Sequence, residues 1–103
     1  MAYGNLAYRD ERDVTREEVH HRTRLTLADG RSLAVVVVNI SPHGFMARCE
    51  AVLAEGDAVR IALPGVGATP ARVRWSLGGR IGCQFDRMVG LAPYYELLAA
   101  LLR

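Results

Sequence analysis

Two short glycine turns constrain this chain more than any other feature. Asp29-Gly30 and Gly78-Gly79 each lie between two runs in which apolar and polar residues alternate. A two-residue hairpin of type I′ needs positive φ at both central positions, which these dipeptides supply. The alternation sets in at about residue 19, and a period of two is the signature of a strand. Before the first turn, "RTRLTLA" sets Leu25 and Leu27 on one face and Arg24 and Thr26 on the other. After it, "RSLAVVVVN" reads as a long strand, buried on both faces for part of its length. Phe45, Ala47 and Cys49 then alternate with Met46, Arg48 and Glu50.

The second half repeats the pattern. "DAVRIAL" sets Val59, Ile61 and Leu63 against Arg60 and Ala62, and "PGVGATP" reads as a loop from its proline and glycine content. "ARVRWSL" alternates Ala71, Val73, Trp75 and Leu77 with Arg72, Arg74 and Ser76, which makes Trp75 a core residue. "RIGCQF" sends Ile81, Cys83 and Phe85 inward. Six short strands at this spacing predict an all-β fold, a six-stranded antiparallel β-barrel. Closure removes the open edges that promote aggregation.

The period changes once more at the C-terminus. Pro93 suits the first position of a helix. Tyr94, Leu97, Leu98, Leu101 and Leu102 follow the i, i+3, i+4, i+7, i+8 stripe of an amphipathic α-helix. Glu96 lies early and Arg103 late, both favourable to the helix dipole. A helix this short draws its stability from packing, on the barrel in preference to a second copy of the chain. Residues 1–18 show no apolar period and alternate arginines with acids. They predict a mobile N-terminal arm with a short helical turn beginning near Thr15, followed by a domain over residues 19–103.

Composition excludes several functions. The net charge of +2 does not describe a binder of polymeric nucleic acid or of membrane surfaces, and the alternating strands offer no exposed aromatic platform for stacking bases. No apolar run is long enough to span a membrane, and the charged N-terminus has no signal-peptide core, so a cytoplasmic location is expected. Cys49 and Cys83 are too few for a disulfide framework or a zinc site and read as buried free thiols. The chain has thirteen arginines and no lysine. Arginine matters where phosphates are gripped, because its planar fork bonds them in a bidentate way.

Enzymatic chemistry finds no support. Ser41 and His43 are close, but the residue after Ser41 is Pro42, which has no N–H to serve as an oxyanion donor. His20 and His21 are adjacent and point to opposite faces of a strand, which is poor geometry for a metal. "GVGATP" has neither the strand-to-helix frame nor the lysine of a phosphate loop. Two features remain. Arg12 and Arg16 form Arg-x-x-x-Arg before the first strand, and Asn39, Ser41 and Gly44 form Asn-x-Ser-x-x-Gly where the valine run breaks.

In this order around a barrel pattern, these motifs resemble the PilZ domain. "RVRWSLGGRIGCQF" is similar to that family's strand ending in Val-x-Trp, its hairpin and its Gly-hydrophobic-x-Phe, here Gly82, Cys83 and Phe85. The resemblance runs from about Arg9 to Phe85. It implies a non-enzymatic receptor for cyclic di-GMP, a bacterial second messenger, with no other cofactor and no metal. By motif position, Arg12 and Arg16 would grip phosphates and stack on guanine, Asn39 and Ser41 would meet a guanine edge, and Gly44 would permit the turn and a close approach. Asp13, Glu17 and Glu18 stand where they can pair with the two arginines in the free state. The arm would close over the barrel on binding, and the signal would pass to an unidentified effector protein or through a homodimer. The alternative from another class is a nucleotide-independent interaction module.

Overall fold

The computed structural model describes residues 16–102. Six antiparallel strands follow one another: β1 (Glu17–Leu27), β2 (Ser32–Ser41), β3 (Gly44–Arg48), β4 (Ala58–Leu63), β5 (Gly67–Leu77) and β6 (Arg80–Phe85). A helix, α1 (Leu91–Leu101), ends the chain. The strands close in the order β1-β2-β3-β6-β5-β4, and β4 returns to β1 through Leu25–Ile61, Thr26–Arg60 and Leu27–Val59. The six-stranded barrel and terminal helix expected from the periodicity are both present.

Alternation decides what lies inside. Leu25, Val37, Ala47, Ile61, Val73 and Ile81, one from each strand, are all fully buried. Each of the larger ones contributes about 1.5–3 kcal/mol by leaving water. One end of the barrel is covered by α1, whose Tyr94, Leu97 and Leu101 join the same core. The Tyr94 hydroxyl donates to the carbonyl of Ile40 at 3.2 Å. No helix among the described residues is long and apolar enough to cross a membrane.

Several local expectations change. β1 begins at Glu17, because Glu17 and Glu18 pair with Ile40 and Asn39 of β2, so these two residues are strand and not a helical turn. The loop expected over residues 64–70 is shorter. Gly67–Pro70 continue as strand by pairing with Leu63–Arg60, and only Pro64, Gly65 and Val66 turn. Helix α1 starts two residues before Pro93, whose missing N–H falls among the donors that no helix can satisfy internally. Glu96 therefore sits in the second turn, beyond the reach of the N-terminal dipole, and Arg103 lies outside the described residues.

The two glycine hairpins differ in kind. Gly78 and Gly79 both have positive φ, at 63° and 78°, as type I′ requires. At Asp29-Gly30 only Gly30 does, with φ 92°. There the Leu27 N–H reaches the Arg31 carbonyl across a three-residue loop, the type I turn with a glycine bulge. Asp29 also accepts from the Arg31 backbone and side chain at 2.9 and 2.8 Å, and the backbone N–H leads in holding its carboxyl below the usual value.

Both cysteines are buried and unpaired, as expected. Burial, with Cys49 close by, pushes the Cys83 thiol up to about 12, and burial with Glu17 and Tyr95 nearby pushes the Tyr94 phenol up to about 12. Both groups hold their protons to higher pH folded than unfolded. The unfolded chain releases them first, so stability falls as pH rises from about 9 to 12. Each group steepens the fall by up to about 1.4 kcal/mol per pH unit inside its window. Urea midpoints measured from pH 8 to 11 should decline, and Cys83→Ala should flatten the first part of that decline. A flat profile for the parent would contradict the burial of both groups.

Candidate functional site

The barrel's outer wall carries the site, and two β-bulges place it there. Val37 pairs with Ala47 and Asn39 with Met46, so β2 uses one residue more than β3 at this step. On the far side Val73 pairs with Cys83 and Trp75 with Gly82, so β5 uses one residue more than β6. An extra residue resets the alternation and re-aims the side chains beyond it. In β2 the inward positions change from Val35 and Val37 to Ile40, which leaves Asn39 outside. In β5 they change from Ala71 and Val73 to Ser76, which leaves Trp75 outside and 41% exposed.

Trp75 is therefore not a core residue, and the strands do present an exposed aromatic ring. The pattern broke because Arg74 is the extra residue and Ser76, not Trp75, takes the inward place. The Ser76 hydroxyl accepts from the Leu53 N–H at 3.2 Å. A single platform does not make the succession of rings that a nucleic-acid strand needs.

Registers on three ladders then align Asn39, Met46, Gly82 and Trp75 in one row across β2, β3, β6 and β5. Gly82 is the low point. A Cβ built there would overlap Trp75 Nε1, so the indole lies across the glycine. A glycine inside a strand commonly marks such a close approach. Above the row opens a cleft of about 260 Å³, lined by Arg16, Asn39, Ser41, His43, Arg74 and Trp75 among others. Enclosed small-molecule pockets hold about 300–1,000 Å³, so this one suits one flat ring and leaves the rest of a larger ligand on the wall.

The turn after β2 supplies the polar edge. The backbone N–H groups of His43 and Gly44 both donate to Ser41 Oγ, at 3.1 and 3.3 Å. Those bonds occupy the two acceptor sites of the hydroxyl and leave its O–H to donate. The turn is fixed from behind as well, since Pro42 O accepts from Val89 N–H and His43 O from Phe85 N–H. Asn39 makes one weak contact, Nδ2 to Met46 Sδ at 3.8 Å.

Gly44 has no positive φ. Its need for a bare Cα comes from β6, because a Cβ there would overlap the Cys83 carbonyl oxygen. Arg16 and Arg74 are exposed cations at the cleft. The only ion pair among the described residues joins Arg31 to Asp29, so neither Glu17 nor Glu18 pairs with Arg16. Arg12 lies outside the described residues, as does Asp13.

The structure thus brings Arg16, Asn39, Ser41 and Gly44 together and adds Arg74 and Trp75, which sequence reasoning missed. The signal for Trp75 was the glycine at 82, two places before the Gln84 that pairs with Gly44. A second cleft of about 720 Å³ lies toward the other end of β1–β3, lined by Arg22, Leu33, Val36, Arg48 and Glu50 among others. It is larger, but it has neither an exposed ring nor a side-chain amide.

Comparison with known proteins is consistent with this picture. The family model of the PilZ domain matches residues 9–102. The crystal structure of the PilZ domain of CeSA from a cellulose-synthesizing bacterium superposes with a TM-score of 0.60 at 19% identity, covering 84% of this chain and 94% of that one. Borreliella burgdorferi PlzA, solved in complex with c-di-GMP, superposes with a TM-score of 0.66 at 9% identity. That alignment covers 97% of this chain and 45% of PlzA. Comparison with curated proteins found no match. With its barrel closed and the family model matched over residues 9–102, which takes in every described residue, this protein belongs to the PilZ domain family.

Proposed function

We propose that this domain is a receptor for cyclic di-GMP that acts as a binding module and not as an enzyme. The observation that carries the reading is the row Asn39–Met46–Gly82–Trp75 with Arg16 and Arg74 at its margins. It combines a flat apolar platform, an amide and two exposed guanidinium groups that form no ion pair among the described residues. The ligand has matching parts in its two purines and two phosphodiester charges. The complex of PlzA with c-di-GMP supports the choice of nucleotide.

Roles follow from the chemistry of each group. One guanine stacks on the open face of Trp75. The Asn39 carbonyl accepts from guanine N1–H and N2–H₂. Ser41, with its lone pairs taken by the turn, donates its O–H to a ligand oxygen or to N7. Arg16 and Arg74 bind phosphate oxygens or guanine O6 and N7 through charge-assisted bonds. Arg12, four residues before Arg16, supplies the second cation of the Arg-x-x-x-Arg pair. The segment before β1 then closes over the nucleotide, and an effector protein reads the closed form.

Isothermal titration of the full chain with cyclic di-GMP tests the reading, with cyclic di-AMP and GMP as controls. Cyclic di-GMP should bind in preference to both. At 100 times its dissociation constant it should add about 2.7 kcal/mol of stability. Absence of heat and of any thermal shift at millimolar ligand would remove the receptor reading and leave the fold untouched.

A further inference from the structure

We infer that α1 pairs with α1 of a second copy of this chain, antiparallel and about a two-fold axis. The barrel takes only one side of this helix. Tyr94, Leu97 and Leu101 face the core, while Leu91, Tyr95 and Leu102 are 61%, 63% and 57% exposed and Leu98 is half-buried. Positions 91, 95, 98 and 102 lie within a narrow arc of a 3.6-residue helix, beside the buried side. Their 4-3-4 spacing is the seam along which two helices cross at about 20°.

The occupant follows from the symmetry of the seam. The spacing reads the same from either end. An antiparallel two-fold pair therefore sets Leu91 against the other copy's equivalent of Leu102, and Tyr95 against that of Leu98. A two-fold interface requires this self-complementarity. Among the described residues the flank holds Ala92 and Ala99, small enough for close approach, and no charge that would select a different protein. Glu96 is the single charged residue of α1 and lies off the stripe. Antiparallel pairing also sets each helix N-terminus beside the other's C-terminus, which suits the dipoles. Met88, 58% exposed just before the helix, extends the apolar surface. Full cover of the exposed parts of Met88, Leu91, Tyr95, Leu98 and Leu102 in both copies would bury roughly 1,000 Å², the floor for a specific association. This inference does not depend on the nucleotide reading.

Sedimentation equilibrium of the full chain from about 1 to 200 µM, the range in which an interface of this size is read, should show the mass rising from 11.3 kDa toward twice that value. Tyr95→Glu and Leu102→Glu should each weaken the dimer at least roughly 100-fold, since both copies then bury a charge. Far-UV circular dichroism should show the parental fold. Leu102 lies at the end of α1, so its variant still reports if Tyr95→Glu proves unfolded. Orientation is read by oxidation. A mixture of Leu91→Cys and Leu102→Cys should cross-link between the two variants far more than either does alone. A parent that stays monomeric throughout, a dimer that both glutamates leave intact, or preferential self-linking of one cysteine variant would each overturn the proposal.

Discussion

Gly44→Ala should cost at least about 3 kcal/mol and lower the melting temperature by roughly 15 °C, although it adds a single methyl group. Nothing about backbone conformation requires this, because Gly44 has no positive φ. The cost comes from β6. The new Cβ would overlap the Cys83 carbonyl oxygen and stand 3.1 Å from both the Cys83 carbonyl carbon and Gln84 Cα. Those atoms are backbone and have no rotamer to move into. Phe45 pairs with Cys83, Gly44 with Gln84, and the Phe85 N–H bonds the His43 carbonyl, so the turn cannot swing away without opening the β3–β6 ladder. Overpacking of a tight site costs about 1–3 kcal/mol even where side chains can yield, and a domain of this size has only about 5–15 kcal/mol to lose. Gly30→Ala is the control. Gly30 has open space around it but a φ of 92°, so the loss there should be about 1–2 kcal/mol of backbone strain alone. Thermal denaturation followed at 218 nm or by calorimetry separates the two. A Gly44→Ala variant as stable as the parent would mean that β3 and β6 do not approach this closely.

The contrast between Gly44 and Trp75 shows what the sequence could and could not reveal. The strands were legible because Leu25, Ile61, Val73 and Ile81 each sit in alternating runs and Val37 in an unbroken valine run, and a closed barrel has one inside. The family motif was legible because Asn39, Ser41 and Gly44 interrupt a valine run that has no other reason to stop. The orientation of Asn39 and Trp75 was not. Counting by twos from Val35 puts Asn39 in the core, and counting from Ala71 puts Trp75 there. Both end up on the wall because β2 and β5 each hold one residue more than their neighbours at the same level. A bulge is a relation between two strands, so no single run of residues encodes it. For Gly44 the position was evident and the reason was not, since the obstructing carbonyl belongs to a strand thirty-nine residues away in sequence. The helix was legible by its stripe, but the division of that stripe between Tyr94, Leu97 and Leu101 inside and Leu102 outside depends on where the barrel end lies.

Those two bulges also set the largest expected change in binding. Trp75→Ala combined with Arg16→Ala should weaken cyclic di-GMP by about three orders of magnitude while leaving the barrel folded. Stacking of a base on an aromatic ring is worth about 1–3 kcal/mol, and a hydrogen bond to a charged group about 1.5–3 kcal/mol. The two side chains border one cleft, so the double variant need not equal the sum of the singles. Arg16→Ala should change stability little, because Arg16 is exposed, whereas Trp75→Ala should lower it measurably without unfolding the barrel, because the indole lies across Gly82 on the outer wall and is 41% exposed. Trp75 is the chain's single tryptophan, so its emission reports directly on the cleft. Stacking should quench it on titration with the nucleotide. Gly82→Ala isolates the platform from the charge. Its methyl group meets Trp75 Nε1, Cε2 and Cδ1, the movable end of a side chain, so the indole swings aside and the fold survives. Binding should then fall nearly as far as in Trp75→Ala, with Arg16 and Arg74 intact. If Gly82→Ala and Trp75→Ala both bind like the parent while Arg16→Ala does not, the purine rests elsewhere, and the row across β2, β3, β6 and β5 is only a wall beside the true site.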